Sequence, residues 1–156
     1  MKAVIAKFIT LYCLIALECA RAQTWTLTSA NPTFSWTCVA SSADGNKLAG
    51  TAGGIYLSTN SGAAWITSSA PAAAWSSIAS SADGARLIAA NGSIYISTNS
   101  GGTWTASKPP GNLVASSADG SKLMAVQATG LISVSTNSGY TWFLGTNLSR
   151  SWSRIA

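Results

Sequence analysis

WSSIASSADGARLIAANGSIYISTNSGGTW, Trp75 to Trp104, is one copy of a unit that the chain carries three times. Trp36 to Trp65 reads WTCVASSADGNKLAGTAGGIYLSTNSGAAW, and Gly111 to Trp142 reads GNLVASSADGSKLMAVQATGLISVSTNSGYTW. The SSADG blocks place Asp44, Asp83 and Asp119 in steps of 39 and 36 residues, and the STNSG blocks place Asn60, Asn99 and Asn137 in steps of 39 and 38. Within each unit the apolar side chains recur at every second position, the period of a strand and not of a helix. Ile55 and Leu57, Ile94 and Ile96, and Ile132 and Val134 share one face, while Tyr56, Tyr95 and Ser133 take the other. Four such runs per unit are separated by Ala-Asp-Gly, by Asn-Gly in the second copy, and by Asn-Ser-Gly, all residues that reach turn conformations at little cost. The pattern predicts a four-stranded antiparallel meander in which the last run bears the Trp.

A period near 39 residues is too long for a leucine-rich repeat and fits a propeller blade. The expectation is therefore an all-β chain of three complete blades, at about 36–65, 75–104 and 111–142. The flanks repeat parts of the same unit. TWTLTSANPTFSW aligns with AWITSSAPAAAW, so Trp25 takes the place of Trp65, Trp104 and Trp142 on the last strand of a blade. Trp152-Ser-Arg-Ile155-Ala repeats Trp75-Ser-Ser-Ile78-Ala, the first strand of a blade. Propellers commonly close with about four to eight blades, and closure hides the sheet edges. Three blades with stray first and last strands read as a partial propeller, expected from a truncated gene product in preference to two chains pairing edge to edge into one ring.

Residues 1–22 read as an export signal: Lys2 and Lys7 precede an apolar Phe8–Leu17 stretch, and Ala20-Arg21-Ala22 precedes a cut at Gln23. That stretch is shorter than the about 20 apolar residues a membrane span needs. A lipid-anchor reading of Cys19 is disfavoured by Glu18 just before it. Removing residues 1–22 leaves six basic and three acidic residues, a net charge of +3, with the cations spread along the chain. This excludes the clustered basic footprint of a nucleic-acid binder. Cys38 is then the single cysteine, so the mature monomer holds no internal disulfide.

STNSGAAW, STNSGGTW and STNSGYTW resemble the Asp-box, or BNR, repeat of sialidases, sortilin-type receptors and photosystem II assembly-factor-like propellers, and the wider unit is similar to exported bacterial repeat proteins. The Asp-box pattern, Ser-x-Asp-x-Gly-x-Thr-Trp, carries Asn60, Asn99 and Asn137 at the Asp place here. Asn keeps the acceptor oxygen that a turn-locking side chain needs, so the hairpin is expected to survive without the charge. The resemblance implies a propeller fold, and it implies function only weakly because propellers host many activities.

The mature chain has three carboxylates, Asp44, Asp83 and Asp119, at equivalent positions of successive blades, which does not bring two together for paired acid–base work. Each is followed three residues later by a cation, Lys47, Arg86 or Lys122, a spacing that suits a solvent-exposed pair at the turn. The resemblance to sialidases implies an arginine triad, a Tyr/Glu nucleophile pair and an Asp acid. The mature chain has no Glu and only Arg86, Arg150 and Arg154. With no His and one Cys, the Ser-His, Cys-His and common zinc arrangements are also missing. The sequence therefore predicts no catalytic, cofactor-binding or metal-binding residues. Tyr56 and Tyr95 are expected to pack between blades and not to stack on sugars, and of the sequons at Asn91 and Asn147 the first is a hairpin turn. The expected function is that of an exported non-catalytic binding or scaffold module that presents rim loops to a protein or glycan. The alternatives are a piece of a sialidase-like glycoside hydrolase whose catalytic blades lie elsewhere, or an assembly factor for a membrane complex. Open blade edges are expected to favour self-association.

Overall fold

A computed structural model describes residues 27–30, 33–145 and 155. The expected export signal and the outermost Trp25 and Trp152 lie outside the described residues. The alternating runs form twelve short strands in three separate four-stranded sheets. Blade 1 holds β1 (Cys38–Ser41), β2 (Leu48–Thr51), β3 (Ile55–Ser58) and β4 (Ile66–Thr67). Blade 2 holds β5 (Ser77–Ser80), β6 (Leu87–Ala90), β7 (Gly92–Ser97) and β8 (Thr105–Gly111). Blade 3 holds β9 (Leu113–Ser116), β10 (Leu123–Val126), β11 (Ile132–Ser135) and β12 (Phe143–Leu144). Every sheet is an antiparallel meander in chain order, and the registers are equivalent: Ser41 faces Leu48, Ser80 faces Leu87, and Ser116 faces Leu123.

The fourth strand differs from expectation in one respect. It begins one residue past the Trp, at Ile66, Thr105 and Phe143, because residues up to the Trp are held in the preceding turn. The blades therefore extend to Thr67, Gly111 and Leu144.

Strand alternation sends one set of side chains to each neighbouring blade. Ala49, Ile55 and Leu57 of blade 1 pack against Trp75, Ile78, Leu87 and Ala89 of blade 2. Ile88, Ala90 and Ile94 of blade 2 pack against Val114, Leu123 and Ala125 of blade 3. The core is thus two layers between sheets, and the middle blade contributes to both. Backbone bonds near the SSADG turns tie the blades in series: Ala43 N donates to Ala82 O and Ala82 N to Ala118 O, each at 2.7 Å. Tyr56 and Tyr95 are half-buried, and Tyr95 meets Trp75 edge-on with ring centroids 5.2 Å apart. Tyr95 packs between blades 1 and 2, as expected, whereas Tyr56 packs on Phe34 and Trp36 of its own blade, on the face away from blade 2.

Ile94 is fully buried between blades 2 and 3, whereas Ile66 on an outer strand is 64% exposed. Ile94→Ala is expected to cost about 2–5 kcal/mol in a denaturant melt, and Ile66→Ala no more than about 0.5 kcal/mol. Equal losses would contradict the two-layer core.

Candidate binding surfaces

Each STNSG block folds as one lock. In blade 2 the Ser97 hydroxyl donates to Asn99 Oδ1 at 2.9 Å and accepts from Gly101 N at 2.9 Å, while Thr103 N donates to Asn99 Oδ1 at 2.8 Å. Asn99 Nδ2 donates to the Thr103 hydroxyl at 2.9 Å. Blade 3 repeats all four bonds around Asn137, and blade 1 repeats the first three around Asn60, where Ala64 has no hydroxyl. The chain turns through two consecutive left-handed residues, Ser100 (φ 55°) and Gly101 (φ 85°) in blade 2. A non-glycine residue in that region is uncommon. Ser100 is anchored there by its own N–H, which donates to Ala85 O at 2.8 Å. The Trp closes the lock across a blade junction: Trp104 Nε1 donates to Ser68 Oγ of blade 1 at 2.6 Å, and Trp142 Nε1 to Ser107 Oγ of blade 2 at 3.0 Å.

The SSADG turns lock in a related way. Asp44, Asp83 and Asp119 accept from the hydroxyls of Ser42, Ser81 and Ser117, and from the backbone N–H two residues ahead. These bonds, led by the Ser hydroxyl, hold all three carboxyls below the usual carboxylate range, with a second side-chain donor at two of them, Asn46 Nδ2 at Asp44 and the Ser121 hydroxyl at Asp119. Each acid is thus occupied within its own turn, and no group of three metal-ligating side chains converges among the described residues.

The cations do not pair with the Asp three residues before them. Lys47 Nζ reaches over the next blade to the Asp83 carbonyl at 3.0 Å and the Ser100 hydroxyl at 3.3 Å, and Arg86 donates to Ser138 in blade 3. Their stems lie on Gly84 and Gly120, where a Cβ would come within 2.7 Å and 2.5 Å of side-chain carbon. The spacing reflects a junction clasp and not a local ion pair. Cys38 is half-buried, with Sγ 3.7 Å from the Ile78 carbonyl of blade 2.

Two of the concave surfaces among the described residues are wide enough to receive a ligand. The first is an outer-rim groove of about 450 Å³ between β8 and the third STNSG turn, lined by Thr105, Ser107 and Lys108 on one side and Ser138, Gly139 and Tyr140 on the other. Tyr140 is 86% exposed and Lys108 is exposed. Strand β8 is the edge of its sheet, with no partner strand on its outer side among the described residues, and Pro109 and Pro110 within it carry no N–H. Sequence reasoning missed this groove because Lys108 and Tyr140 are the residues that break the repeat. The second is a hollow of about 430 Å³ on the open face of blade 1, lined by Phe34, Trp36, Tyr56 and Trp65.

Two outcomes test the locks. Asn99→Asp keeps the acceptor and is expected to change stability by no more than about 0.5 kcal/mol, while Asn99→Ala strands Ser97 and Thr103 N and costs about 1–3 kcal/mol in the same melt. Carboxyls lowered in the folded state contribute stability that is full above the unfolded value of about 3.9 and is lost as pH falls through the folded values. Melting temperature is therefore expected to hold from neutrality to about pH 4 and decline below it. A variant with Asn at 44, 83 and 119 is expected to lose less on acidification.

No protein-family model matches the chain, and no curated protein sequence matches it. Solved structures do. YCF48 bound to D1 peptide superposes with a TM-score of 0.61 at 14% identity, over 79% of this chain and 45% of that one. The GH74 enzyme of Niastella koreensis gives 0.60 at 26% identity, over 80% of this chain and 19% of that one. YCF48 from Cyanidioschyzon merolae gives 0.59 at 22% identity, over 76% and 39%. The chain thus spans less than half the length of each. Three stacked four-stranded meanders, matched over most of the chain by propeller proteins, make it a run of three β-propeller blades.

Proposed function

We propose that this chain is an exported, non-catalytic binding module whose outer-rim groove receives an extended segment of a partner protein, and that its STNSG hairpins are Asn-bearing Asp-box repeats. The groove along the β8 edge carries this reading. The Thr105–Lys108 part of this edge, ahead of Pro109 and Pro110, which lack an N–H, offers backbone donors and acceptors at strand spacing, the means by which extended peptides are taken up by strand addition. Lys108 at one end supplies a positive charge, and the exposed Tyr140 ring supplies an apolar platform with a polar tip. A volume near 450 Å³ suits a few residues of peptide. The expected partner is therefore a short extended segment with an acidic and an apolar side chain. The similarity to a propeller bound to a peptide supports a protein partner over a glycan. Export is supported by the basic and apolar pattern of residues 1–22.

The similarity to the Niastella koreensis GH74 enzyme favours a second reading, a piece of a glycoside hydrolase. Against it, Asp44, Asp83 and Asp119 each accept hydrogen bonds within their own turns in three separate blades, which places none of them beside a second carboxylate.

The test is binding of the purified chain to an array of short peptides of graded charge. Acidic peptides with an apolar residue are expected to be retained over Lys-rich ones, and Lys108→Glu and Tyr140→Ala are each expected to weaken retention about tenfold. Both side chains are exposed, so neither change is expected to shift the melting curve. Retention indifferent to peptide charge and to both substitutions would sink the groove, and hydrolysis of a polysaccharide by the chain would sink the non-catalytic assignment.

A further inference from the structure

At the rim, each STNSG hairpin meets a segment that precedes its blade in the chain, and two of these three seams close in the same way. Ser29 Oγ donates to Ala63 O and Ser69 Oγ to Gly102 O, each at 2.7 Å. The residue before each serine also carries a hydroxyl, and the residue after it returns an N–H to that hydroxyl. Ala30 N donates to Thr28 Oγ1 and Ala70 N to Ser68 Oγ, both at 3.2 Å. Thr28-Ser29-Ala30 and Ser68-Ser69-Ala70 are thus one three-residue device that ties a linker to the hairpins of blades 1 and 2.

The third seam keeps the first part of this device and lacks the rest. Ser107 stands at the place of Ser68. It accepts from Trp142 Nε1 at 3.0 Å, as Ser68 accepts from Trp104 Nε1 at 2.6 Å, and it donates to Gly139 O at 3.3 Å, as Ser68 donates to Gly101 O at 2.9 Å. Lys108 then takes the place of Ser69, and Pro109, with no N–H to return, takes that of Ala70. Tyr140 replaces Gly102, and among the described residues no donor meets its carbonyl. Ile96 lines the groove at this seam and is half-buried, whereas Leu57, its equivalent at the seam before, is 8% exposed. The rim groove is therefore a seam left open, with a backbone acceptor at Tyr140, an apolar floor at Ile96 and the β8 edge along one side.

We propose, resting on the peptide-binding reading of this groove, that the partner segment carries a serine or threonine whose hydroxyl donates to the Tyr140 carbonyl, with the apolar side chain of the segment on Ile96. The hydroxyl takes the place that Ser29 and Ser69 fill at the other two seams, where the chain's own linker already lies against the hairpin. A short hydroxyl suits that acceptor, because it donates without carrying a charge or a long stem into the seam. Position 108 is the specificity determinant: a serine there closes the seam from within, and the lysine leaves the carbonyl to the partner.

The test uses pairs of acidic peptides with one apolar residue, the two members differing only by Ser or Ala at a position moved along the peptide, against the full chain and its Lys108→Ala and Lys108→Ser variants. At one position the Ser peptide is expected to bind the wild type about five- to tenfold more tightly than its Ala counterpart, as for one hydrogen bond. Both variants lose the charge and bind acidic peptides less tightly, so the readout is the Ser-to-Ala ratio within each pair. Lys108→Ala is expected to keep the ratio, because the Tyr140 carbonyl stays open. Lys108→Ser is expected to bring it to about one, because the new hydroxyl occupies that carbonyl, and to melt above Lys108→Ala. Lys108 is exposed, so both variants are expected to fold. Acidic peptides retained with no pair showing a difference, or a Lys108→Ser variant that keeps the wild-type ratio, overturns the hydroxyl assignment while the groove reading stands. Binding indifferent to peptide charge and to position 108 removes the groove reading, and this inference with it.

Discussion

Burial on both faces of each sheet is the constraint from which the rest of this structure follows. A two-sided sheet of four short strands has no interior of its own, so its apolar side chains are covered only by the sheets before and after it. Strand β6 carries this to its limit: Leu87 and Ala89 point into one layer, Ile88 and Ala90 into the other, and all four are buried. Such a strand reads as an unbroken apolar run because water touches neither side. At roughly 25 cal/mol for each Å² of apolar surface removed from water, face-to-face packing outweighs anything the exposed turns contribute singly. It also demands that every polar group carried into the layers find a partner. Ser58, Ser97 and Ser135 are nearly or fully buried, and each spends its hydroxyl on the Asn and Gly of its own hairpin.

The turns convert this stacking into a fixed order. A sheet held only by apolar contact could slide on its neighbour, because aliphatic packing has little directional preference. Directed bonds at the junction remove that freedom. The Ala43–Ala82–Ala118 backbone relay fixes one end of the blades, the Lys47 and Arg86 clasps bridge to the following hairpin, and the Trp104 and Trp142 N–H groups fix the rim. The left-handed Ser100 has a use in this scheme. Its hydroxyl is the acceptor for the preceding blade's lysine, so the strained position is where the chain receives its neighbour.

Much of this was legible in the sequence, and the limits have physical causes. Period-two alternation and Gly-bearing turns were sufficient for strands, meander and blade count, because both are local properties. The acceptor role of Asn60, Asn99 and Asn137 was also readable, since it depends on bonds within a few residues. The partner of Lys47 was not. A spacing of three residues from Asp44 suggested a local pair, yet the two groups that Lys47 meets, Asp83 and Ser100, belong to the next blade, and a repeat does not announce which copy a side chain will touch. The start of the fourth strand was misplaced by one residue for a related reason: the Trp looks like a strand residue, but the N–H just before it in the chain is held by the hairpin Asn, as Ala64 N is by Asn60 and Thr103 N by Asn99.

The groove beside β8 lies where the repeat is broken, and that placement has a structural cause. The first two blades open with Trp36 and Trp75, whereas the third has Gly111 there, and a Cβ on that glycine would stand 2.8 Å from Ile94. With no room for an indole, the linker that carries Ser69 to Ala74 at the first junction is shortened, and β8 runs on through Lys108 to Gly111 with a bulge at Ser93/Ile94. The longest strand among the described residues is therefore an edge strand, and the third hairpin reaches toward it with Tyr140, where the other copies have Ala63 and Gly102. Positions that obey the repeat are committed to holding neighbouring blades. Side chains released from that duty, here Lys108 and Tyr140, are the ones left free to meet something else.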